Sequence, residues 1–237
     1  MDIPHRGVIS AFARLETQFA EFLEVVPLEQ AHFDLWSPVL ATIMLESCSQ
    51  LDSLWKLELR ETGRVKPNAK ITDYFTLFGP VLSGQWCVIW ADDGQKLEPF
   101  IGWQPGGAYA PLPWWQAYND LKHDRWEHKR RATLIHASHA LAGLFLAIIN
   151  ASAMDQGLLD GIWVNTDWNK QLVVEFLRKG TDGDQWPEAT IESRLFSYAI
   201  GCNHPDFSKH ATSFYHASPH FVQWLNQHYN ARIPRMQ

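Results

Sequence analysis

The chain reads as a mainly α-helical bundle that carries a β-hairpin insertion and a small α+β C-terminal extension. Three observations predict this. Apolar residues recur at helical spacing through long stretches before residue 150. At Gln85 the period switches from 3.6 to 2 over Gln85-Trp86-Cys87-Val88-Ile89-Trp90, and Asp92-Asp93-Gly94 offers a turn into a weaker return strand. After about residue 160 the pattern shifts to short β-branched runs. The implied division is a helical bundle over 1–155, with its hairpin near 85–100, and an α+β extension over 156–237.

Each element has a local cause. Over 7–26, Val8, Phe12, Leu15, Phe19, Phe22 and Leu23 follow helical spacing, and Pro27 stops the helix. Ser37 is an N-cap and Pro38 a first helical residue for a longer helix to about Glu61, which Gly63 closes. Its buried stripe is Leu40, Met44, Cys48, Leu51 and Trp55. A short helix is expected over 72–78. Residues 102–113, with Gly102, Pro105, Gly106, Gly107, Pro111 and Pro113, form a loop with a sharp helix start after it, giving a helix over Trp114–His123.

The strongest helical pattern runs from about Arg131 to Asn150. Leu134, Ala137, Leu141, Leu144, Phe145 and Ile148 form one wide apolar face. His136, His139, Gly143, Ala147 and Asn150 lie opposite. The small residues Gly143 and Ala147 would admit another helix or another subunit, so a homodimer through this face is expected. Residues 151–161 read as a linker. Gly161–Val164 and Leu172–Leu177 suggest strands, and Gly180–Pro187 is a polar turn. Residues 195–200 fit a strand or a short helix. Ser218-Pro219 opens a terminal helix over 218–230.

The totals exclude several classes. With 46% apolar and 19% charged residues among 237, the chain can bury a core and is not globally disordered. A net charge of −6 argues against coating nucleic acid through bulk charge. Three widely spaced cysteines, Cys48, Cys87 and Cys202, fit a reducing cytoplasm. Met1-Asp2-Ile3-Pro4-His5-Arg6 holds no apolar signal core, and the longest apolar run, Leu141–Ile149, is about half of a membrane span. The expectation is a soluble cytoplasmic protein without a membrane partner.

Chemistry concentrates in Trp114-Trp115-Gln116-Ala117-Tyr118-Asn119-Asp120-Leu121-Lys122-His123-Asp124-Arg125. On a helix, Asn119, Lys122 and His123 share one face, which can donate hydrogen bonds, offer positive charge and exchange a proton near neutral pH. Lys122 to Arg131 contains five Lys/Arg against two acids, a local positive patch that would focus an anionic ligand. The same pattern also fits a solvated helix end whose cations offset the helix dipole.

Elsewhere the signals are weaker. Eleven histidines include His204, His210, His216, His220 and His228 near the C-terminus, but no HExxH or HxH spacing occurs. No metal or other cofactor is expected. There is no GxSxG elbow, no reactive-cysteine motif and no phosphate-cradling glycine pattern. Trp86, Trp90, Trp103, Trp114 and Trp115 could stack bases or partners, or pack the core beneath the hairpin.

Tyr118-Asn119-Asp120-Leu121-Lys122-His123, a polar stretch, and then Ala132-Thr133-Leu134 leading into a long apolar helix resemble the HEPN superfamily of helical domains, over roughly residues 7–150. The resemblance implies a bundle of four or five helices, found in RNases of toxin and anti-phage systems and in non-catalytic members. The family's signature is an Arg, often followed directly by Asn, then four to six residues and a His. Asn119 and His123 match, while Tyr118 stands where the Arg belongs. Arg131 and His136 have the spacing without the Asn.

Cleaving RNA through its own 2′-hydroxyl needs a proton acceptor and a cation for the phosphorane charge. The resemblance gives the first role to His123 and the second to Lys122 or Arg125, with Asn119 beside them. Tyr118, Arg131 and His136 would then contact ligand. The reading taken from these residues is a non-catalytic, bacterial-type helical protein that binds a ligand or partner, with RNA or a small anion as candidates. The alternative is a metal-independent RNase of toxin or anti-phage type.

Overall fold

The computed structural model describes residues 4–64, 69–91, 93–104, 112–160, 163–179, 187–229, 231 and 233. Helices dominate them, joined by one five-stranded antiparallel sheet. The helices are α1 (Pro4–Leu23), α2 (Pro38–Glu61), α3 (Ile71–Leu82), α4 (Pro113–His123), α5 (Leu134–Asn150), α6 (Asp155–Leu159), α7 (Lys170–Lys179), α8 (Phe207–His210) and α9 (Pro219–Tyr229). The strands are β1 (Cys87–Ile89), β2 (Gln95–Leu97), β3 (Val164–Asn165), β4 (Thr190–Glu192) and β5 (Phe196–Ala199).

The centre is α5. Thr133 caps it, its Oγ1 accepting the His136 N–H, and its residues from Ala140 to Ile149 are all buried. It packs against α1, α2 and α4, and the sheet and α7 touch it further along. The small residues predicted to face another subunit are used inside the chain instead. A Cβ on Gly143 would lie 3.3 Å from Trp114 and 3.4 Å from Phe100. That corrects the expected dimer face, because Gly143 meets this chain's own Trp114 and Phe100 and Ala147 is buried within the chain.

The hairpin and the C-terminal strands form one sheet, in the order β2-β1-β5-β4-β3. Val88 faces both Lys96 and Ser197, so β1 joins the hairpin to β5. Two buried carboxylates from the helices tie the layers together. Glu16 on α1 accepts the Ser193 hydroxyl and the Leu195 N–H at the β4–β5 turn. Glu58 on α2 accepts the N–H groups of Ser152 and Ala153 and the Ser152 hydroxyl, which satisfies donors just after α5.

Several expectations need correction. Leu172–Leu177, expected as a strand, lies within α7, with Val173, Val174 and Leu177 on its buried side. The expected linker over 151–161 contains a 3-10 turn and α6. The long apolar helix starts at Leu134, not Arg131, and α3 extends to Leu82 through Pro80. Residues 161–162 and 180–186 lie outside the described residues. Among the described residues no single helix is long and apolar enough to cross a membrane.

Candidate binding cleft

The Trp114–His123 prediction becomes α4, which starts at Pro113 because proline suits a first helical turn. Trp114, Trp115, Ala117, Tyr118 and Leu121 turn inward, leaving Asn119, Lys122 and His123 toward a cleft of about 540 Å³. Its other walls come from Asp52 and Lys56 on α2, Lys70 before α3, and Tyr74 on α3.

Beneath the cleft lies an aromatic block. Trp55 is within 6.1 Å, ring centre to ring centre, of Tyr74, Phe78, Phe100, Trp103 and Trp115. Trp115 in turn contacts Tyr118 at 5.2 Å. A floor of interlocked rings holds the two walls at a fixed spacing.

The acidic groups of the cleft are already partnered. Asp52 accepts the Tyr74 hydroxyl at 2.6 Å and the Lys56 ammonium at 2.5 Å. Asp120 accepts both Nε and Nη2 of Arg131, at 3.0 and 2.8 Å, and the Gln116 amide at 2.8 Å. The Arg131 hydrogen bonds hold the Asp120 carboxyl below the usual aspartate range. Asp73 caps α3 by accepting the Lys70 backbone N–H.

The cations are less committed. Lys122 places its ammonium 5.4 Å from the Tyr118 ring centre and has no ion pair among the described residues. The His123 imidazole is exposed and makes no side-chain hydrogen bond among them. Both tyrosines stay protonated at physiological pH. Burial, followed by the nearby Cys48 and Asp52, pushes Tyr118 up to about 12. Burial and the Asp52 hydrogen bond raise Tyr74 further.

Tyr118, Asn119, Lys122 and His123 thus come together as expected, although Tyr118 is a buried wall and not an open contact. Arg131 reaches only the cleft's edge, through Asp120. Arg125 does not join them: its guanidinium lies 3.4 Å from the Thr42 hydroxyl on α2. His136 is outside the lining, with Nδ1 2.9 Å from the Arg131 carbonyl oxygen, and burial lowers its pKa. Arg131 and His136 therefore touch through a carbonyl and do not present a cation and a base to one point.

Sequence reasoning missed Asp52, Lys56, Lys70 and Tyr74. The one available signal was Asp52 and Lys56, an i, i+4 pair interrupting an apolar stripe beside Leu51 and Trp55. Among the described residues no group of three or more His, Cys, Asp and Glu could hold a metal. The chain matches no protein-family model, no curated protein and no solved structure.

Proposed function

We propose that this chain is a non-catalytic, cytoplasmic helical protein of HEPN-like type that binds a small anion in the cleft between α2, α3 and α4. One observation carries the reading. Asp52 and Asp120 are each neutralised by a cation of the chain itself, while Lys122 and His123 face the same cleft without an acidic partner among the described residues. A chain of net charge −6 therefore concentrates positive potential at one concave site. Asn119 adds an amide donor, and Lys122 suits a phosphate or carboxylate as a point charge.

The RNase reading draws on Asn119, Lys122 and His123 sharing one wall. Among the described residues no arginine lines this cleft, and Arg131 at its edge is committed to Asp120. Among the described residues the His123 imidazole also has no orienting partner of the kind a general base ordinarily has.

Calorimetric titration with inorganic phosphate tests the proposal. Wild type should bind, and Lys122→Ala should weaken binding about tenfold or more, the loss of one charge-assisted contact. Absence of binding at millimolar phosphate, or identical binding by Lys122→Ala, contradicts it.

A further inference from the structure

A second surface lies at the N-terminal end of α2, away from the cleft residues Asp52 and Lys56. Of the eight large apolar side chains exposed among the described residues, Val25, Leu35, Trp36, Val39 and Trp126 come from three neighbouring segments. These are the turn after α1, the approach to α2 with its first turn, and the α4–α5 loop. Trp126 is 84% exposed and Val25 79%. Buried apolar area drives folding, so a tryptophan held in water at a loop tip marks a surface for an external partner.

The surface has two unlike halves. One is an apolar groove of about 550 Å³ edged by Phe22, Val25, Val26 and Val39, with Glu21 on its rim and Glu24 exposed beside it. The other is a slot of about 360 Å³ between Trp36 and Trp126, floored by Pro38 and Ala41 and rimmed by Arg125 and Lys129. They are continuous: Val39 and Thr42 of the groove alternate along α2 with Pro38 and Ala41 of the slot, and Arg125 reaches across to Thr42. Asp124 is occupied in shaping the loop, accepting the N–H groups of Trp126 and Glu127. Lys129 lies over the Trp36 ring at 5.7 Å, and Arg130 is exposed beside it. Neither Glu21, Glu24, Lys129 nor Arg130 forms an ion pair among the described residues.

We infer that this face binds a second copy of the chain, about a two-fold axis near the first turns of α2. An isologous contact sets each half of a face against the unlike half of its twin. Here that puts the acidic, apolar groove of one copy on the basic, aromatic slot of the other. Trp126 of each copy then fills the groove of its twin, and Lys129 and Arg130 meet the opposing glutamates. A nucleic acid strand would suit the basic half alone and be repelled by Glu21 and Glu24. A second copy satisfies both halves.

Sedimentation velocity from about 1 to about 100 µM, at low and high salt, is the test. Wild type should dimerise, more weakly in high salt because the rim is charged. Trp126→Ala should weaken dimerisation at least about tenfold with an unchanged circular dichroism spectrum, as expected for an exposed anchor. The double variant Lys129→Glu/Arg130→Glu should be monomeric, and so should Glu21→Lys/Glu24→Lys. Mixed together, those two should form heterodimers, since every rim contact is again between opposite charges. A monomeric wild type across the range overturns the inference, whether or not it binds single-stranded RNA or another protein. So does a dimer indifferent to Trp126→Ala, or a mixture of the two charge variants that stays monomeric.

Discussion

The guanidinium of Arg131 lies on the Asp120 carboxylate through two nitrogens, Nε at 3.0 Å and Nη2 at 2.8 Å. That pair joins the turn before α5 to α4 and withdraws Arg131 from the cleft. Arg131 is half exposed, so Arg131→Ala should destabilise the fold by only about 0.5–1 kcal/mol near neutral pH. Arg131 depresses the Asp120 pKa, so the native state binds fewer protons there than the unfolded chain. The stabilisation is present above the ordinary aspartate range and is lost as pH falls through the depressed value. Urea unfolding should separate the two proteins at pH 7 and bring them together in strong acid.

Glu16 has the opposite sign. Burial raises its pKa despite the Ser193 and Leu195 hydrogen bonds, so its neutral form is favoured in the native state. Its contribution is fullest below the ordinary glutamate range and fades as pH rises through the raised value. Glu16→Gln keeps an acceptor for both donors and removes the buried charge, so it should match or exceed wild-type stability at pH 8. Glu16→Ala should lose about 2 kcal/mol, because the Leu195 N–H is left buried without a partner. Urea midpoints at pH 5 and pH 8 distinguish these outcomes.

His139 on α5 provides an acid trigger. Burial, then the neighbouring His136, lowers its pKa to about 4. A neutral buried imidazole stabilises the fold above its unfolded pKa of about 6.5, and that stability is lost as pH falls toward 4. The full difference is on the order of 3 kcal/mol. His139→Phe should shift acid unfolding to lower pH, and NMR should find the His139 ring neutral at pH 5.5. A ring charged at that pH would contradict the burial argument.

Gly143 tests where the small-residue face of α5 is spent. Gly143→Leu pushes a side chain into Trp114 and Phe100 and should destabilise by about 1–3 kcal/mol or more, read by thermal unfolding. If that face met a second subunit instead, the fold would be unaffected and only the oligomer would change.

The parts of this fold that the sequence announces are those with local chemistry. Ser37 accepts the Leu40 N–H and Gly63 takes a φ of +68°, so both ends of α2 fall where cap and stop residues put them. Pro219 is the first residue of α9, as its place after Ser218 suggests, although the Ser218 hydroxyl donates to the Glu192 carboxylate. Leu172-Val173-Val174 misleads because a short β-branched apolar run suits either state, and packing against α5 and α6 decides for α7. Thr190–Glu192 is too short to show a period. One wall of the cleft was legible because Asn119, Lys122 and His123 sit on one helix face. The opposite wall, Asp52, Lys56 and Tyr74, lies far off in the chain and is brought there only by tertiary packing around Trp55.

The most direct test of a binding cleft without catalysis is incubation of the purified protein with end-labelled single-stranded RNA in excess EDTA, resolved by length. The RNA should remain intact in the presence of wild type, because Tyr118 supplies no cation and Arg131 is held by Asp120. Shortened RNA that disappears on changing His123→Ala, in a protein that still folds, would contradict the account and establish the cleft as an active site.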